Sequence, residues 1–386
     1  MITRFYVDNY KCLTNFEYKP KPFELVLGSN GTGKTTVFEA LRTVRDFIWG
    51  DTKADDLFPA SSITRWQQKS TQRFELDVEV EGAQYEYALE LSHSLETGEV
   101  HVHKEELKHN QDLLFAFERR WAGEETDEGT ISYLVGEVWI RENIGVEEMT
   151  WVTGNRSVLS QLEKRQTPLS FLFRESMRDV YLARLNPLQM SSYTNAEVLR
   201  PSADLSNFAW WYRHLSQTKQ SAIFNLYKSL HEVINGFEEL RFDIHGETAR
   251  TLKVLLRADP NSTGKTKALK YDLEELSDGQ RALIALYTML HCTLEPNTTL
   301  VIDEPENYVA LSELQPWLAE LRERVEERGG QVILISHHPE FINALAPQDA
   351  VLFKRDEGGP VRIVPFRTEG FEGLTPAEIM ARGWES

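Results

Sequence analysis

The chain has 386 residues, 41% of them hydrophobic and 26% charged, a globular balance, and no apolar run approaches the roughly 18 residues that a membrane-spanning helix needs. Its 42 basic and 60 acidic residues give a formal charge of −18, which argues against a protein that coats nucleic acid over its whole surface and leaves only a local basic groove for DNA. The two cysteines, Cys12 and Cys292, stand in no CxxC or other metal-binding spacing, and the start "MITRFYVDNYKC" has no apolar signal core, so disulfide, zinc and secretory readings give way to a soluble protein of a reducing cytoplasm.

This length fits two domains or one large domain with an insertion. The opening segment alternates through Ile2, Phe5 and Val7 to a polar turn, "NYKC", and "FELVLGSN" supplies a short apolar strand entering a glycine loop. Behind the loop, "KTTVFEALRTVRDFIW" spaces Val37, Leu41, Val44 and Ile48 along one helix face. From about residue 51 to 180 the pattern changes to period two. "RFELDVEVEG" and "QYEYALELSH" flank a hairpin at Glu81 and Gly82, and "TISYLVGEVWIREN" and "MTWVTGN" continue an inserted antiparallel β meander.

"RDVYLARLNPLQM" predicts a return to the main sheet, ended by Pro187. Residues 206–237 read as helix, with Ile223, Tyr227, Leu230, Ile234 and Phe237 as its stripe. "LRFDIHG" and "TLKVLLRAD" follow as strands and "PNSTGKTK" as an exposed basic loop. "EELSDGQRALIALYTML" is then a polar turn running into an apolar helix. An apolar strand, "TLVIDEPE", precedes an amphipathic helix through Leu314, Leu318, Leu321 and Val325, stopped by Gly329 and Gly330, and "QVILISHH" is a further strand. This alternation predicts an α/β fold with a parallel component to its sheet.

Four stretches carry chemistry. "GSNGTGKTT" has Gly28, Gly33, Lys34 and Thr35 in G-x-x-x-x-G-K-[ST] spacing between a predicted strand and a predicted helix. Its backbone N–H groups, over Ser29, Asn30, Gly31, Thr32, Gly33 and on to Thr36, would close around phosphates, with Lys34 neutralising β/γ charge and the Thr35 hydroxyl on Mg²⁺. "TLVIDEPE" ends in Asp303, placed to hold Mg²⁺, and Glu304, placed to orient and deprotonate an attacking water; a solvated carboxylate pair is the plainer alternative. A neighbouring strand delivers Ser336 and His337, where an imidazole could meet a γ-phosphate. His338 is its rival, and a histidine simply satisfied at a strand end is the other alternative. The helix start at "LSDGQ" offers a second set of backbone donors to an anion.

Taken in order, with a β insertion between the first pair, "GSNGTGKTT", "LSDGQ", "VIDEPE" and "ISHHP" resemble the ABC-type ATPase heads of the RecF, SMC and overcoming-lysogenization-defect group. "FYVDNYKCLTNFEY" is similar to that group's opening strands and "LRPSADLSNFAWWYRHL" to a segment before the head's second half. The resemblance implies a P-loop NTPase fold of ABC-head type with a mixed sheet. The head would comprise residues 1–50 and 180–386, with a helical signature subdomain over about 200–295 and a β-rich subdomain inserted at 51–180.

It also implies roles. Ser277, Gly279 and Gln280 would contact the γ-phosphate of a nucleotide on a partner's P-loop, Asp303 and Glu304 would form the Walker B pair, and His337 would be the switch histidine. Gln189 is the first choice for the Q-loop glutamine that senses Mg²⁺ and water, with Gln67 and Gln68 as further candidates and a surface amide after a proline as the alternative. Two departures from the pattern stand out. Asp278 puts a carboxylate where the second residue of LSGGQ is glycine, and Val309 and Ala310 stand where related heads tend to have Leu and His.

The function so implied is ATP binding and hydrolysis with Mg²⁺, in a homodimer or higher oligomer closed around an ATP sandwich, acting in DNA repair or maintenance or in antiphage defence. The alternative is a slow ATP-gated sensor or scaffold that holds and releases an effector protein, a toxin or nuclease. The chain ends too soon after His337 for a Toprim nuclease, so the effector is expected on another chain. The nucleotide-binding subunit of a transporter suits the β insertion less well, and no membrane partner is expected. His101 and His103 read as solvent-facing, and Trp210 and Trp211 as packing residues.

Overall fold

The computed structural model describes every residue except 95–96, 127–128, 143–146, 152–153, 163, 259–267, 356–357, 368–372 and 384–386. The expected basic loop "PNSTGKTK" lies outside the described residues. The chain forms two compact units, Met1–Val180 with Asp349–Arg367, and Tyr181–Gln348 with Thr368–Trp384.

The first unit carries an eight-stranded antiparallel sheet, ordered Phe16–Tyr18, Ile2–Asp8, Thr71–Val80, Ala83–His93, Val100–His109, Asp112–Thr126, Gly129–Ile140 and Glu147–Trp151. Thr71–Val80 buries alternate residues, as a period-two strand with one covered face does. Glu81 and Gly82 close its hairpin with positive φ of 51° and 80°, the two-residue turn whose twist matches its strands. Phe5 sits opposite Leu76 and Val7 opposite Phe74, so the opening strands and the meander share one apolar face. Residues on both sides of position 51, where the sequence changes pattern, thus belong to one unit.

In the same unit Phe23–Leu27 is buried at every position, as a strand covered on both faces must be. It pairs in parallel with Ala350–Lys354, which pairs antiparallel with Arg362–Pro365. The helix Lys34–Trp49 buries Val37, Leu41, Val44 and Ile48, as their spacing predicts. The buried carboxyl groups of this unit include Glu24 and Glu105. Glu24 accepts from the Tyr18 hydroxyl at 2.5 Å, and burial pushes it up to about 7. Glu105 accepts from the Tyr87 and Ser157 hydroxyls and the Val158 amide at 2.9, 2.5 and 2.8 Å, yet complete burial still pushes it up to about 7.

The second unit contains the parallel, fully buried strands Thr299–Asp303 and Gln331–Ile335. The strand Val180–Ala183, all but its first residue in this unit, flanks Thr299–Asp303 and ends well before Pro187. The helix expected over 206–237 is two helices, Phe208–Thr218 and Gln220–Val233, because Lys219 leaves helical space at φ −124°, ψ 46°. Its stripe changes accordingly: Leu226 and Leu230 are buried, while Phe237 opens the strand Phe237–His245. That strand pairs with Ala249–Arg257, whose other edge takes Tyr193–Thr194 and Ala268–Asp272.

The helix Asp278–Cys292 is buried at every residue from Arg281 onward, the mark of a helix surrounded on all sides. A polar pin holds it: the Ser229 hydroxyl lies 2.9 Å from His291 Nε2 and donates to Glu320 Oε2 at 3.1 Å, linking three helices. In Leu311–Arg328 the buried stripe is Leu314, Trp317, Leu321 and Val325, with Leu318 only half-buried.

Candidate functional site

The first unit supplies a phosphate cradle between the strand Phe23–Leu27 and the helix Lys34–Trp49. Gly28 has φ +145°, and a Cβ there would fall 2.4 Å from the Phe353 carbonyl oxygen; one at Gly33, φ +90°, would fall 2.6 Å from Val361 Cγ2. Both positions therefore need glycine for backbone angle and for space. The helix begins with no side-chain cap and no acidic residue in its first turn, so no local carboxylate offsets the positive end of its dipole, which favours an anion there. Lys34 is buried, and its ammonium donates to the carbonyls of Gly28 at 2.6 Å and Ser29 at 3.0 Å. Ser29, Asn30, Gly31 and Thr35 are exposed and Thr36 is half-buried, while Thr32 is tied to Ser29 O through its hydroxyl at 2.8 Å.

A cavity of about 360 Å³ adjoins the cradle, lined by Ser29–Thr32, Leu352–Arg355 and Gly358. Arg355 donates to Gly359 O at 2.6 Å and Gly358 O at 2.7 Å and lies over the Trp66 ring, 5.4 Å from its centroid.

The second unit supplies the acids, the histidines and the signature turn. Asp303 ends its strand in a buried position, and Glu304 follows with φ +55°, a left-handed backbone that costs a residue with a Cβ about 1 kcal/mol or more and is held by its surroundings. The Glu304 amide donates to Ile335 O at 2.8 Å, which ties the acid turn to the strand bearing Ser336 and His337. The Glu304 carboxylate accepts at Oε2 from Arg184 Nη2 and from Asn307 Nδ2, both at 3.0 Å. Arg184 Nε is 3.9 Å from Asp303 Oδ2.

Glu306, given no role by the sequence reading, organises the histidine turn: it accepts from Ser336 Oγ at 2.6 Å and from the His337 amide at 3.2 Å. His338 is committed to the next helix, its Nδ1 accepting from the Glu340 amide at 3.3 Å. Among the described residues no group of three His, Cys, Asp or Glu side chains could hold a metal. A Mg²⁺ on Asp303 would thus take its remaining oxygens from a hydroxyl, water and phosphate, as this hard, reluctantly dehydrated ion commonly does.

Ser277 caps the signature helix, its hydroxyl accepting from the Gln280 amide at 3.2 Å while Gln280 Oε1 accepts from the Ser277 amide at 3.1 Å, a reciprocal capping box. Asp278 is ion-paired with Arg281, so the carboxylate that stands where LSGGQ has glycine has a local counter-charge. Gly279 packs under the acid turn: a Cβ there would be 2.9 Å from Tyr308 O. Gln189 is exposed at the end of the short turn Pro187–Gln189, which Arg281 holds by donating to Pro187 O at 2.7 Å.

Structure thus adds Arg184, Arg281, Glu306 and Asn307 to the residues read from sequence. Of these only Glu306 carried a local signal, the third acid of "DEPE". Gln67 and Gln68 lie in the first unit, where Gln67 Oε1 is buried without a hydrogen-bond partner. His103 is exposed and His101 half-buried, 3.6 Å from Glu99. Trp211 is buried, and Trp210 donates to Tyr193 O at 3.0 Å.

A family model described as "AAA domain, putative AbiEii toxin, Type IV TA system" matches residues 25–343. Among solved structures, the SMC head domain from Thermotoga maritima is similar at 14% identity and a TM-score of 0.45, over 95% of this chain and 99% of that one. No curated protein matches the chain. Among the described residues no helix is long and apolar enough to cross a membrane.

Proposed function

The chain belongs to that family of AAA domains, and on that premise we propose that it binds ATP with Mg²⁺ and hydrolyses it in a dimer closed around two nucleotides. The observation that carries the reading is the cradle itself, a 16-residue helix without a side-chain cap whose glycine entry is backed by the buried Lys34 ammonium. Thr35 and Asp303 would hold the metal, which lends charge to the β/γ oxygens when bound. Glu304 would orient and deprotonate the water, and His337 would read the γ-phosphate. Gln189 remains the candidate for sensing metal and water. The cradle belongs to the first unit and the signature turn Ser277–Gln280 to the second. Each chain's signature turn would complete its partner's site, and ATP-driven closure and opening would act on DNA in repair or in antiphage defence.

Two substitutions test this. Glu304→Gln should retain ATP and accumulate as a nucleotide-bound dimer in light scattering. Ser277→Arg should abolish hydrolysis while equilibrium ATP binding persists. Should Ser277→Arg turn over ATP as fast as the parent chain, the shared site is wrong.

A second reading, a slow ATP-gated scaffold that sequesters an effector, draws support from the toxin–antitoxin wording of the family description and from the charge of −18, which suits a basic protein at least as well as DNA. Turnover measured with and without DNA separates the two. Strong stimulation favours the first reading, and slow, DNA-indifferent hydrolysis the second.

A further inference from the structure

The acid pair has a cation of its own. Arg184 follows directly on the strand Val180–Ala183, the neighbour of Thr299–Asp303, and so emerges beside the acid turn. Its guanidinium donates to Glu304 at 3.0 Å and stands 3.9 Å from Asp303, one cation spanning two consecutive carboxylates. The anchoring is uneven. The Arg184 amide donates to Ala203 O at 2.7 Å, and that of Asn186 to Asp204 O at 3.0 Å, so the backbone is fixed. The side chain, however, is 58% exposed, against 12% for Asp303 and 25% for Glu304. Such a head can leave without disturbing the fold.

We propose that Arg184 is a resident counter-cation of the acid pair that holds Glu304 in the metal-free state and competes with a divalent cation for Asp303. The inference rests on the ATPase reading above. A divalent ion bound to Asp303 Oδ2 at the usual roughly 2 Å would lie within about 6 Å of the guanidinium, inside the Debye length of roughly 8 Å at physiological salt. The two cations therefore repel, and loading one loosens the other. When Arg184 withdraws, Asn307 still holds Glu304 Oε2, and the carboxylate is released toward water only once metal has arrived. The pair would thus suppress the base in an unloaded site. An exposed guanidinium–carboxylate contact is worth a factor of about two to five in an equilibrium, and that is the expected competition.

The test is Mn²⁺ binding, followed by electron paramagnetic resonance on the full chain with a non-hydrolysable ATP analogue, so that no turnover is needed. Arg184→Gln should lower the half-saturating Mn²⁺ about two- to fivefold, Arg184→Lys should stay near the parent, and Asp303→Asn should remove the gain when combined with Arg184→Gln. Analogue affinity in EDTA should be equal in parent and Arg184→Gln. If Arg184→Gln binds Mn²⁺ no more tightly while the parent binds the analogue normally, the counter-cation proposal falls and the ATPase reading stands. A parent chain that binds no analogue sinks both. Melting is measured on the same samples, and should Arg184→Gln melt far below the parent, Arg184→Met, which keeps the aliphatic stem, carries the same comparison.

Discussion

Gly279→Ala isolates the contact between the signature turn and the acid turn. The new methyl would sit 2.9 Å from Tyr308 O, closer than real Cβ contacts come, and the obstacle is backbone. Tyr308 has φ +77°, and its turn is tied by Asn307 N to Glu304 O at 3.1 Å and Val309 N to Glu306 O at 3.3 Å, so the carbonyl retreats only by moving the turn that holds Glu304. Overpacking of this kind costs about 1–3 kcal/mol, which for a unit of this size corresponds to a melting point lower by roughly 5 °C. Hydrolysis should fall at least tenfold, because about 1.4 kcal/mol of misplacement at the base is a factor of ten. ATP binding at the cradle should be unchanged. Calorimetry, steady-state phosphate release and nucleotide titration on the same protein read the three effects. Tyr308→Ala supplies the control: it leaves the carbonyl in place and should not rescue Gly279→Ala. Rescue, or a Gly279→Ala protein that melts and turns over like its parent, would refute the account.

Lys34→Ala should weaken ATP binding at least tenfold in a fluorescence titration, since it removes the ammonium folded onto Gly28 and Ser29; unchanged affinity would mean that the cradle holds no polyphosphate. Glu105 predicts a pH dependence. Burial raises it to about 7 from 4.5, so between those values the folded chain keeps a proton that the unfolded chain has lost, and stability falls by about 3 kcal/mol as pH rises through that window. Glu105→Gln abolishes that term, so its urea-denaturation stability relative to the parent should be more favourable at pH 8 than at pH 5 by a similar amount. A pH-independent difference would show that the three donors around Glu105 keep it ionised.

The geometry of the cradle was legible in sequence because it is contiguous: strand, glycine loop, lysine and helix occupy one short stretch. The same holds for Asp303 with Glu304 and for the paired histidines, although only their contacts distinguish His338, spent on its own helix start. Arg184 was invisible because its partner Glu304 lies far along the chain, and nothing about an arginine before "LNP" announces a carboxylate. The partner of Asp278 went unread for a different reason: Arg281 lies at i,i+3 on the same helix, a spacing that permits an ion pair without requiring one. The break at Lys219 and the joining of Ile2–Asp8 to the meander were likewise set by tertiary pairing, which overrides a periodicity that reads equally well as one longer helix or as two separate sheets.

The contacts of the second unit form a closed circuit: Gly279 under Tyr308, Asn307 and Glu304 in the same turn, Arg184 on Glu304, and Pro187 held by Arg281, which pairs with Asp278 beside Gly279. A lesion anywhere on that circuit has two ways round to the acid. In a genetic screen, alleles of the signature turn and alleles of the acid turn would then share one phenotype, a loss of turnover with nucleotide still bound. Only suppressors, second changes that reset the opposite arc, would tell the two kinds of allele apart.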